Sequence, residues 1–101
     1  MSRRLIVRSE AETDIAEAAL WYEVQEIGLG EDLLLEVRAA SERAFANPEH
    51  FTRLRKEPEV RRILTRRFPY RVIFIVCKNA VIVFAVLHAA RHDRHWQNRI
   101  R

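Results

Sequence analysis

The alternation of apolar and polar positions begins with a short apolar run, Leu5-Ile-Val7, set between arginines, and it predicts a first strand over Arg4–Arg8. Ser9-Glu-Ala-Glu12 then has the form of a capping box, with Ser9 able to accept from the amide three residues on and Glu12 able to reach back to the Ser9 amide. Glu10, Glu12 and Asp14 also suit the positive end of a helix dipole. Ala11, Ile15, Ala18 and Tyr22 recur at helical spacing, with Ala19 and Trp21 widening the stripe, which predicts a helix ending near Ile27-Gly28. After the tight link Gly28-Leu-Gly30, a second stripe of Leu33, Leu34, Val37, Ala40, Ala44 and Phe45 predicts a helix from about Glu31. It should stop at Asn47-Pro48, because proline pushes the residue before it out of the helical region. Two amphipathic helices joined so closely form an antiparallel hairpin, and its apolar seam needs a surface to cover.

That surface is predicted downstream. Residues 49–58 hold only Phe51 and Leu54 as large apolar anchors among charges, and read as a loop crossing the rim of a sheet. Val60–Arg67 alternates imperfectly, with Val60 and Leu64 on one face and Ile63 on the other, and reads as a strand that carries arginines to solvent on one side. Phe68-Pro69-Tyr70 turns the chain. Val72–Cys77 and Ala80–Leu87 are near-continuous apolar runs of strand length, broken by Lys78-Asn79. Asparagine tolerates the left-handed backbone of a tight turn, so these runs read as a hairpin of central strands covered on both faces. The same break excludes one membrane-spanning helix over 72–87. His88–Trp96 loses strand character and reads as a last helical turn. The order β-α-α-β-β-β describes one α+β domain over residues 1–101, a helical hairpin against a small, mainly antiparallel sheet.

Composition narrows this reading in two ways. A hydrophobic fraction of 49% with only two glycines and three prolines excludes wholesale disorder. The single cysteine, Cys77, reads as a buried packing residue in a reducing compartment; with no signal peptide after Met1-Ser-Arg-Arg, a cytoplasmic location is expected. Charge adds more. Residues 1–50 carry five Lys/Arg against eleven Asp/Glu, and residues 51–101 carry thirteen against three. The helical half is therefore acidic and the sheet half strongly basic, a distribution that attracts phosphate or an acidic protein segment.

Several short motifs, in this order, resemble the RelE/ParE toxin superfamily of bacterial type II toxin–antitoxin (plasmid stabilisation) modules. They are Trp21-Tyr-Glu23 with Gly28-Leu-Gly30, Asn47-Pro48, Val60-Arg-Arg62, Arg67-Phe-Pro-Tyr-Arg71, and His88…Arg91…Trp96. The wording of residues 67–70 and 86–96 is closer to the ParE branch. The resemblance implies no cofactor and a cognate antitoxin, ParD-like or similar, whose acidic C-terminal segment wraps the toxin. It also implies one of two activities: poisoning of DNA gyrase without chemistry, as in ParE-type members, or metal-independent mRNA cleavage on the ribosome, as in RelE-type members. A binding module that has lost toxicity is a third reading.

Cleavage by a ribose hydroxyl needs a base, an acid and cations around the phosphate. On the resemblance, Arg71 and Arg91 lie where the RelE enzymes place arginines, and His88 is the candidate acid or base, its ordinary pKa being about 6.5. The C-terminal tyrosine of those enzymes has no counterpart; the nearest aromatic is Trp96, whose indole only donates. That departure favours the gyrase reading. Arg61, Arg62, Arg66 and Arg67 are candidates for contact with a target or nucleic acid, in competition with ion pairing to the acidic helices. Trp96 is either an anchor of the tail or part of that contact, with anchoring preferred. Trp21 and Tyr22 read as core of the helical hairpin, and Tyr70 as either the mouth of the basic groove or packing beneath the turn. His88, His92 and His95 are spaced for one helical face, but without a further ligand beyond Asp93 they read as exposed histidines, and no metal is expected.

Overall fold

A computed structural model describes residues 3–100. The elements are β1 (Arg4–Val7), α1 (Ser9–Gln25), α2 (Leu29–Ala46), a 3-10 turn (Pro48–His50), β2 (Thr52–Arg55), β3 (Val60–Leu64), β4 (Tyr70–Val76), β5 (Ala80–His88) and α3 (Arg94–Gln97). The five strands form one mixed sheet in the order β1-β5-β4-β3-β2. β1 runs parallel to β5, and every other neighbouring pair is antiparallel.

The apolar β4–β5 hairpin is central, as its continuous hydrophobicity requires, and both of its faces are covered. One face, with Val72, Phe74, Val81, Val83 and Val86, packs under Ala11, Ala18, Leu33, Val37, Ala40 and Ala44 of the helical hairpin. The other, with Ile73, Ile75, Ala85 and Leu87, packs under Trp96 of the C-terminal segment. In the register, Ile73 faces Ala85 and Phe74 faces Val83, which leaves Phe84 as an extra residue. This bulge puts Phe84 and Ala85 on the same side, so the second core gains a phenyl ring that strict alternation would have sent to the first.

The expected α+β architecture and element order hold, with six local corrections. The 49–58 stretch is not a plain loop: it contains the 3-10 turn and β2, an edge strand paired with β3. The Ser9/Glu12 capping box does not form. Arg8 is the last extended residue because its N–H donates to Val83 O at 2.9 Å, and Ser9 is already helical, with no side-chain cap. The second helix starts at Leu29, ahead of the expected Glu31. Cys77 is exposed, because β4 stops at Val76 and Cys77 opens the turn, its N–H donating to Ala80 O at 2.8 Å. Among the described residues no non-glycine has positive φ, so Asn79 does not supply a left-handed turn residue. Trp21, one position round the helix from Tyr22, is exposed and is not hairpin core.

Glycine matters at the helix link. Gly28 has φ +96°, and the Gly30 backbone lies so close to α1 that a Cβ there would sit 2.6 Å from Ala19 O. Glu23 completes the link by accepting from Gly28 N–H and from Gly30 N–H at 3.0 Å, so a carboxylate of α1 caps the start of α2. No helix among the described residues is long and apolar enough to cross a membrane.

Candidate functional site

The strand register decides which candidate residues can meet. Arg71 lies opposite Leu64 and Leu87, on the face covered by the C-terminal segment. Tyr70 lies opposite His88, on the face of the helical hairpin, with their rings 5.5 Å apart. Successive residues of a strand point to opposite faces, so Arg71 and His88 diverge.

Arg71 is buried and internally committed. Its Nη1 donates to Asp93 Oδ1 at 2.7 Å and its Nη2 to the Arg91 carbonyl at 2.8 Å, while Nε has no partner among the described residues. The ion pair holds the Asp93 carboxyl below its ordinary pKa, with the Arg71 hydrogen bond the leading cause. Beyond it, Trp96 sits in the second core, edge-on to Phe84 with centroids 6.3 Å apart. Arg99 closes the segment: Nη1 and Nη2 donate to Asp14 Oδ2 and Oδ1 at 2.6 and 3.0 Å, and Nη1 also donates to Phe84 O at 3.1 Å. That pairing raises the Arg99 pKa. Asp14 Oδ2 in turn accepts from Val86 N–H at 2.9 Å. β1 pairs with β5 only as far as Val83. Beyond it, the Asp14–Arg99 pair does a strand's work on that edge, one side chain accepting and the other donating.

A cleft of about 410 Å³ opens on the helix side of this edge, between Glu17, Trp21 and Tyr22 of α1 and Tyr70, His88 and Arg91. Trp21 stands edge-on to Tyr22 at 5.0 Å, and Tyr22 to Tyr70 at 6.3 Å. Burial, followed by the neighbouring Tyr22, raises the Tyr70 phenol pKa, so Tyr70 stays neutral. His88 is exposed, and its Nδ1 accepts from Ala90 N–H at 3.1 Å, which puts the ring proton of the neutral form on Nε2. Arg91 Nη2 is 3.1 Å from His95 Nδ1. Desolvation, then the charges of Arg91, Arg94, His92 and Arg99, lower the His95 pKa. No group of three metal-ligating side chains occurs among the described residues.

The strand arginines divide. Arg61 is a tie: Nε donates to Glu59 and Nη1 to Phe51 O at 2.7 Å. Glu36 Oε1 accepts from the N–H groups of both Arg66 and Arg67 at 3.0 Å, pinning the β3–β4 turn to α2. Arg67 pairs with Asp32 at 2.9 Å and lies over the Phe68 ring. The side chains of Arg62 and Arg66 have no ionic partner among the described residues, and with Arg43 and His50 they border a shallow depression. Arg43 and His50 escaped the sequence reading because they lie on separate elements.

A second groove, about 400 Å³, runs between the hairpin and β1 and is lined by Leu5, Val7, Ile15, Ala16, Leu34 and Val37. Leu34 was expected in the core; it is exposed because it turns onto this outer groove while Leu33 is fully buried against the sheet. β1 is also the end strand of the sheet, so its outer edge is unpaired by the sheet.

These elements compose a helical hairpin over a five-stranded mixed sheet, with a C-terminal strap on the opposite face. A similar fold is found in a structure described as "Chromosomal ParDE TA system from P. aeruginosa", with a TM-score of 0.75 and 15% identity over 85% of this chain and 95% of that one. At that identity the likeness is one of fold. A sequence model described as the ParE toxin of the type II toxin–antitoxin system parDE matches residues 5–93. The chain therefore belongs to the ParE toxin family and is the toxin component of a type II toxin–antitoxin system. No curated protein matches it.

Proposed function

We propose that this toxin inhibits DNA gyrase without chemistry of its own, and that a cognate antitoxin silences it by laying an amphipathic segment along the groove beside β1. The observation that carries the first half is the fate of Arg71. A nuclease needs its arginine free to meet a phosphate beside an acid or base; here the guanidinium is buried against Asp93, with His88 on the opposite face of the sheet. For the second half, apolar anchors suit Leu5, Val7, Ile15 and Leu34, Arg38 offers a cation on a rim that also carries Glu12 and Glu42, and the open edge of β1 offers backbone partners.

A competing reading, mRNA cleavage on the ribosome, draws on the free Arg62 and Arg66 beside Arg43 and His50. Two assays on the purified protein separate them: gyrase supercoiling with a check for trapped cleaved DNA, and mRNA cleavage on programmed ribosomes. Gyrase inhibition with intact mRNA is expected. Ribosome-dependent cleavage with unaffected gyrase would sink the proposal.

A further inference from the structure

The exposed face of α1 carries an apolar stripe that neither core nor groove uses. Leu20, Trp21, Val24 and Ile27 are 67%, 59%, 75% and 91% exposed, and none of them lines the groove beside β1. Leu20 and Val24 lie one turn apart on one face of α1, and Ile27 follows just past the helix end, beyond the extended Glu26. Soluble monomers seldom expose a contiguous apolar patch of more than a few hundred Å² unless something binds there.

The charge around the stripe says what binds. Ser9–Gln25 contains Glu10, Glu12, Asp14, Glu17 and Glu23 and no lysine or arginine. Asp14 is taken by Arg99, and Glu23 by the amides of the helix link. Glu17, which borders the cleft with Trp21, and Glu26 have no ionic partner among the described residues. Glu31, exposed at the start of α2, adds a further acid beside the link. Arg91, which borders the cleft with Trp21, is turned to His95. An apolar stripe flanked by unneutralised acids complements a helix whose own apolar stripe is flanked by cations.

We propose that the outer face of α1 docks a basic amphipathic helix of a protein partner, through Leu20, Val24 and Ile27, with Trp21 at its margin. This surface is separate from the proposed antitoxin groove and independent of whether gyrase is the target.

The test uses the full chain and a synthetic amphipathic helix of about 18 residues, long enough to hold two turns on the stripe. One version carries leucines on one face with flanking lysines; its counterpart replaces every lysine with glutamate. Trp21 reports binding by a blue shift of its emission, and the W21F variant isolates the signal of buried Trp96. The lysine peptide is expected to bind, to weaken about tenfold between low and high salt, and to lose binding to a Val24→Ser/Ile27→Ser variant whose melting temperature is unchanged. Failure of the lysine peptide to bind, equal binding of the glutamate peptide, or undiminished binding to the double variant would each overturn the proposal. So would self-association of the parent chain that the double variant abolishes, since a second copy would then be the occupant.

Discussion

Arg71 owes its role to a residue 22 positions further along, and no periodicity in the sequence announces the pairing. Removing it leaves Asp93 without its cation and the Arg91 carbonyl without its donor. Arg71→Ala is therefore expected to cost about 2–4 kcal/mol in urea unfolding. If Arg71 were instead a surface group, the loss would be near zero. Its partner sets a pH dependence. The folded-state pKa of Asp93 lies below the ordinary 3.8, so this stabilisation is fully present above that value and is lost as the pH falls below it through the folded pKa. Trp96 emission should redden over that acid range in the parent, and Asp93→Asn should flatten that part of the titration. The two link glycines separate two kinds of constraint. Gly30→Ala meets the Ala19 carbonyl at 2.6 Å and should destabilise by about 1–3 kcal/mol, as helix-to-helix overpacking does. Gly28→Ala meets nothing within 4 Å, and should cost only the left-handed backbone, about 1–2 kcal/mol.

Among the elements, legibility followed hydrophobicity. The helical hairpin was visible because Ala11, Ile15, Ala18 and Tyr22, and then Leu33, Val37, Ala40 and Ala44, keep a helical period, and Gly28 marks the break. The β4–β5 hairpin was visible because both strands are buried on two faces. β2 was not, because Thr52-Arg-Leu-Arg55 is an edge strand with one inward residue, and its arginines are the usual guard of an edge against further pairing. The candidate site was legible in residue type and illegible in grouping. Arg71, His88 and Arg91 are close in sequence terms, but the period-two geometry of β4 and β5 sends Arg71 and His88 to opposite faces. The strap covering the second face rests on one large anchor. Trp96→Ala is expected to cost about 3–5 kcal/mol and Trp96→Phe clearly less, as thermal melts would show. Equal losses would mean that the strap is held by its arginines alone.

Across the whole molecule, the acidic helical half and basic sheet half resolve into surfaces of different sign. The β3–β4 turn presents Arg66 beside Arg62 and Arg43, while α1 contains no lysine or arginine and, apart from Asp14 paired to Arg99, presents carboxylates. A partner selected by one surface is repelled by the other, so two partners can be told apart by charge before any close contact forms. The parallel pairing of β1 with β5 has a different consequence, in time. Arg4 takes its place beside Ala80, 76 positions later, and Arg99 then seals the rest of the same edge. A nascent chain cannot close this sheet until nearly all of it has been made, since contacts so distant in sequence form late. The sheet is therefore the last part of the fold to be completed, and only once β5 has been made can β1 find its place.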